Sequence, residues 1–130
     1  MIGWVGDIEQ TTLDNGNFRT VVYTGQHSQL TTMRLGPGEE IGAEVHEHND
    51  QFLRIERGRA RVEFGQSEED MSQTHDVEDD WAVIVPSGVW HNVVNTGDEE
   101  VKLYSIYSPP EHPDGTVHKT KAEADADEEH

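Results

Sequence analysis

Metal-ligating side chains are concentrated in Glu44-Val-His46-Glu-His48-Asn-Asp-Gln51, and another histidine stands apart in Pro86-Ser-Gly88-Val-Trp-His91-Asn-Val-Val-Asn95. Imidazole and carboxylate together are donors for divalent transition metals. In a β-strand residues i and i+2 share a face, so either Glu44 with His46 or His46 with His48 can be aimed at one ion. Asn49-Asp50 follow His48 at once and favour a turn, which sets His48 at the end of such a strand. Cysteine is absent. A thiolate site and a disulfide framework are therefore both excluded.

The two stretches resemble the paired signature motifs of the cupin family. That pattern asks for a Gly, five residues, His-x-His, three or four residues, Glu, six residues and Gly, and then downstream for Pro-x-Gly-x-x-His-x-x-x-Asn. The second motif matches at every demanded position, from Pro86 to Asn95. The first matches with Glu44 in the first His place, His46 in the second, Gln51 in the Glu place, and Gly38 and Gly58 as end markers. Pairing His46 with His48 instead puts Glu40 where the leading Gly belongs and brings Gln51 one residue early.

The resemblance implies one divalent transition metal held by Glu44, His46, Gln51 and His91. This set keeps the single negative charge of the usual three His and one Glu, with the carboxylate moved and an amide in its old place. Two imidazoles and one carboxylate form the facial triad of non-haem Fe(II), and they also suit Mn, Zn or Ni. The Gln51 oxygen is a weak donor, either a distant fourth ligand or a group that orients a bound water. Asp80 stands where the family has a Gly before Pro86. No further His or carboxylate occupies a motif position, so catalytic residues are unassigned.

Positioning these residues requires strands. Alternation and turn signals predict strands over 18–24, 30–35, 51–56, 60–64, 81–85, 91–95 and 101–107, separated by Gly36-Pro37-Gly38, Arg57-Gly58-Arg59 and Gly97-Asp98. Trp81-Ala-Val-Ile-Val85 reads as a run buried on both faces. No stretch of helical period is long enough to compete. Short strands with regular turns indicate an all-β sandwich or barrel, and the resemblance narrows this to the double-stranded β-helix, the cupin jelly-roll barrel. The expected organisation is an N-terminal segment over 1–17, a barrel over 18–108, a Pro-rich arm over 109–121 packed on the barrel or on a partner, and an acidic disordered tail over 122–130. His112 and His118, on the arm, approach the site if the arm covers its mouth and otherwise read as exposed, which is the expectation.

The formal net charge is −18, from 27 Asp plus Glu against 9 Lys plus Arg. So acidic a chain repels nucleic acid and anionic membrane surfaces. It reads as the hydrated surface of a salt-adapted protein, such as one from a halophilic archaeon. The N-terminal residues have neither a basic region nor a long apolar run, so a signal peptide and a membrane anchor are not expected, and a cytoplasmic location is. A closer likeness, in Asp50-Gln51-Phe52, Arg54-Ile55-Glu56 and the segment from Tyr107 to Lys121, resembles small bacterial and archaeal cupins labelled mannose-6-phosphate isomerase-like. Two functions follow as expectations. One is metal-assisted isomerisation or oxidation of a small polar metabolite, a sugar derivative or hydroxy-carbonyl compound; the other is a non-catalytic module binding a small molecule or metal. Phe52 on the outward face of a charged strand points to a homodimer.

Overall fold

The computed structural model describes residues 2–128. Its strands are β1 (Arg19–Thr24), β2 (Gln29–Leu35), β3 (Asp50–Arg57), β4 (Ala60–Gly65), β5 (Gln73–Val77), β6 (Ala82–Val85), β7 (Trp90–Asn95), β8 (Val101–Ser108) and β9 (Val117–His118). They form a six-stranded sheet, ordered β6-β3-β8-β2-β1-β9, and a three-stranded sheet, ordered β5-β4-β7. Every named pair is antiparallel. This is the expected double-stranded β-helix barrel.

Alternation drives the closure. Met33 and Leu35 of β2, Leu53 and Ile55 of β3, and Val101 and Leu103 of β8 are fully buried and meet Val62 and Val93 of the smaller sheet in one core. Each such side chain contributes roughly 1.5–3 kcal/mol by leaving water. Gly58 has φ of 104°, and a Cβ there would lie 2.9 Å from the Glu100 carbonyl oxygen, so the turn between β3 and β4 admits no larger residue. Asp80 also lies in the left-handed region, at φ 73°. Its carboxylate accepts from Arg54 Nη2 at 2.9 Å, so the Gly-to-Asp change keeps the turn.

Three expectations are corrected. Among the described residues there are two helices, α1 (Ile8–Asp14) and α2 (Lys121–Glu128). α1 starts at Asp7, whose side chain accepts from the Gln10 amide, and it is too short to display a helical period. The acidic tail is helical through residue 128, since Ala124 is buried in the core and Thr120 with Glu123 form a capping pair; the rest of that tail, 129–130, lies outside the described residues. β6 is buried on one face only, because it is an edge strand paired with β3 alone: Val83 and Val85 point in, while Ile84 is 68% and Trp81 51% exposed.

The arm folds onto its own barrel. Gln29 receives the backbone N–H groups of Glu111 and His112 on its side-chain oxygen, at 3.2 and 3.0 Å, and donates to the His112 carbonyl at 2.7 Å. Asn49 donates to the Pro109 carbonyl and to Glu111. Farther on, β9 pairs with β1.

Candidate metal centre

Glu44 and His46 lie not in a regular strand but in an extended loop beside β7. Glu44 and His91 form an isolated antiparallel bridge, with backbone hydrogen bonds of 3.0 and 2.9 Å in the two directions. The His46 carbonyl accepts from the Gly88 amide at 2.8 Å. The two motifs are thus zipped together by their own main chains. Gly88 has φ of 82°, the left-handed turn that delivers β7 to this position.

The bridge brings three donor atoms together. Glu44 Oε1 is 3.6 Å from His46 Nε2 and 3.7 Å from His91 Nε2, and all three atoms lie within 4.8 Å of one another. Ligands about 2.0–2.2 Å from a tetrahedral ion stand about 3.4 Å apart, so a small closing movement seats an ion. Both Nε2 atoms are buried and have no hydrogen-bond partner. His48 is exposed and does not join the cluster.

Both rings are turned with Nε2 inward by what their other nitrogens do. His91 Nδ1 lies 3.0 Å from the Val89 carbonyl, so it donates there. His46 Nδ1 lies 3.3 Å from Glu111 Oε1. Such outer contacts fix the tautomer and orientation of a ligating histidine. Burial opposes charge on Glu44, but the His46 and His91 imidazoles facing it outweigh that and hold the carboxyl well below its usual range. Burial likewise opposes charge on His46, yet Glu111 and Glu44 raise it to about 9. Glu111 is lowered, chiefly by its bond to His46. These residues fit a divalent cation: an anionic oxygen and two buried imidazole nitrogens converge with nothing else to bind.

Gln51 is buried in the same interior. Its Nε2 donates to Ser105 Oγ at 3.1 Å and Tyr107 Oη at 3.3 Å, while its Oε1 has no partner. The Tyr107 ring stands edge-on to His46 at 5.6 Å, and burial holds its phenol proton firmly. Tyr23 and Tyr104 instead sit on the outer face with Trp4 and Ile8.

A cavity of about 510 Å³ opens beside the triad, lined by Arg19, Glu44, His46, Glu111, His112 and His118 among others. His112 and His118 were expected at the surface; the arm's anchoring to Gln29 and Asn49, and its pairing through β9, turn them inward. Burial, aided by the Arg19 charge, depresses His112 to about 4, which leaves its imidazole neutral near pH 7. Arg19, Glu111 and His112 escaped the motif reading because none lies at a motif position. The one signal available was Arg19 sharing strand parity with the apolar Val21.

Known proteins resemble this chain along most of its length. The model of the Cupin_2 family, described as a cupin domain, matches residues 31–107. The uncharacterized protein YrkC of Bacillus subtilis (strain 168) is 53% identical over 126 residues, covering 97% of this chain and 68% of its own. The uncharacterized protein L612 of Acanthamoeba polyphaga mimivirus is 36% identical over 115 residues, covering 88% and 70%. The crystal structure of BH2720 from Bacillus halodurans is 50% identical and superposes with a TM-score of 0.93 over 95% of this chain and 93% of that one.

Proposed function

The chain belongs to the cupin domain family, and on that premise we propose that it holds one divalent transition metal at Glu44, His46 and His91 and acts on a small hydroxy-carbonyl metabolite, such as a sugar derivative, by isomerisation or oxidation. One observation carries this reading: two buried imidazoles, each with its Nδ1 committed elsewhere, present unpartnered Nε2 atoms to one carboxylate oxygen. A bound ion of this kind supplies Lewis acidity at a substrate oxygen.

The chain's own groups supply the rest. Glu111 keeps the His46 ring in its ligating orientation. Gln51, its nitrogen occupied, offers Oε1 as a weak fourth ligand or as an acceptor for a bound water. His112, neutral and with a buried, unpartnered Nε2, is placed to accept a hydrogen bond from a substrate hydroxyl. The mannose-6-phosphate isomerase-like label adds no substrate to this reading, because one fold hosts many chemistries.

Mass spectrometry of the purified protein tests the proposal. The expected result is about one transition-metal ion per chain, lost in Glu44→Ala, His46→Ala and His91→Ala and kept in His48→Ala. Retention in Glu44→Ala with loss in His48→Ala would assign the wrong pair. A metal-loaded protein that binds hydroxy-carbonyl compounds but turns none over is a binding module instead.

We also propose a salt-adapted homodimer. Ile84, Phe52, Ile106, Leu30 and Tyr23 are cross-strand neighbours over β6, β3, β8, β2 and β1, an apolar row on the outer face of the large sheet. Tyr23, Leu30 and Ile106 are half-buried beside Trp4 and Ile8, so a second copy would cover the exposed Ile84 end of the row, and screening of the −18 net charge favours both folding and pairing. Melting temperature and light-scattering mass should rise together from dilute buffer to molar KCl; a salt-indifferent monomer rejects the proposal.

A further inference from the structure

Neither the fold nor the metal centre explains Arg19. It is 2% exposed, and its register partner is Met33, which faces Leu103, which faces Ile55, so its row is otherwise apolar. Its guanidinium lines the same cavity as Glu44, His46, Glu111 and His112. A single hydrogen bond holds it, from Nη1 to His118 Nδ1 at 3.3 Å, and its Nε has no partner. Among the described residues it takes part in no ion pair. His118 donates from Nε2 to Asp127 at 2.9 Å, which leaves Nδ1 as the acceptor and fixes the direction of the guanidinium.

A guanidinium keeps its charge throughout the range where proteins fold, and burying a charge without a partner is costly. The His118–Asp127 pair turns the group into the cavity but does not neutralise it directly. Besides His118 it meets the face of the Phe18 ring, 5.3 Å from its centroid, which leaves the edge of the guanidinium open to an anion that enters from outside.

We infer that Arg19 is an anion-binding residue and that the ligand of this cavity carries a carboxylate, received by the free edge of the guanidinium. The inference rests on the proposed metal centre only for the ligand's other end, where a hydroxyl or carbonyl oxygen meets the triad. A planar pair of oxygens matches the planar fork of donors. The anion is singly charged, because Glu44, Glu111 and Asp127 line the same cavity and repel a phosphate dianion more strongly. The ligand class is then a small hydroxy- or oxo-carboxylate.

The test uses the full chain, metal-loaded and again after chelation. The probes are 2-hydroxy and 2-oxo carboxylates of two to six carbons, each against its carboxamide, with inorganic phosphate as the dianion. Thermal shift and calorimetric titration read binding. At least one carboxylate should raise the melting temperature, while its carboxamide does not and phosphate binds at least roughly tenfold more weakly. Arg19→Met should weaken that carboxylate about a hundredfold, as expected for truncating one partner of a buried charge pair, and Arg19→Lys should recover part of the loss. Metal content should stay at the wild-type level in both variants.

Wild-type protein that binds no carboxylate, or that binds the carboxamide or phosphate equally well, overturns the inference. So does an Arg19→Met protein with undiminished affinity. If Arg19→Met does not fold, Arg19→Lys decides: a loss of about tenfold or more supports the fork, and unchanged affinity overturns it. The metal arm separates the two readings. Arg19-dependent carboxylate binding in a protein that never holds metal sinks the metal centre and leaves this inference standing; a metal-loaded protein indifferent to carboxylates does the reverse.

Discussion

Two buried rows cross the same three strands with the same inward alternation, and they hold opposite chemistry. Gln51, Tyr107 and Gln29 lie side by side on β3, β8 and β2; farther along those strands Ile55, Leu103 and Met33 do the same. All six are buried to 1% exposure or less. The apolar row has no polar side-chain atom to satisfy. In the polar row Gln29 is committed to the arm, Tyr107 accepts from Gln51, and the Gln51 oxygen is left over. Burial is shared by both ends of the barrel; the unmatched hydrogen-bonding atoms mark the end where a ligand belongs.

If the division is real, damage at one end should leave the other's property intact. Leu103→Ala should cost about 2–5 kcal/mol of unfolding free energy, read in denaturant melts, because a fully buried side chain leaves a cavity. Metal content per folded chain should not change. A folded but metal-poor Leu103→Ala protein would break the division. At the other end, Glu111→Gln should weaken metal binding by about 10–100-fold in chelator competition, since it loosens the His46 ring. A large loss of stability in place of that affinity loss would make Glu111 a structural residue.

His112 sharpens the contrast through pH. Its folded value of about 4 lies below the ordinary 6.5, so between those values the unfolded chain binds more protons at this group than the folded one. Its neutral form is compatible with the fold above pH 6.5, and stability is lost as pH falls from there toward 4. His112→Gln should flatten the melting temperature over that window. An unchanged slope would remove His112 from the buried polar end.

The barrel was legible because its determinants are local and repeated: alternation in Leu30–Leu35 and Val101–Tyr107, turns at Gly58 and Gly97, and a motif ending in Asn95, whose side chain ties Leu35, Gly97 and Glu99 together. The clustering of Glu44, His46 and His91 was legible through the resemblance, whose motif spacing selected Glu44 over His48 where strand parity allowed both. Arg19, Glu111 and His112 were not. Their place depends on Gln29 and Asn49 gripping a segment far along the chain, a contact that leaves no periodic trace. The helices were missed for two reasons: α1 is too short to show a period, and α2 hides its Thr120-Glu123 cap within an acidic stretch that reads as tail.

The arm's attachment also makes the two imidazoles unequal. The three donor atoms come from residues 44 to 91, while the carboxylate that steadies His46 stands at residue 111, beyond the last long strand. His91 is aimed by its neighbour Val89, whereas His46 depends on a residue far along the chain. On the proposed metal reading, the steady aim of His46 waits on the docking of Glu111 and His112 onto Gln29.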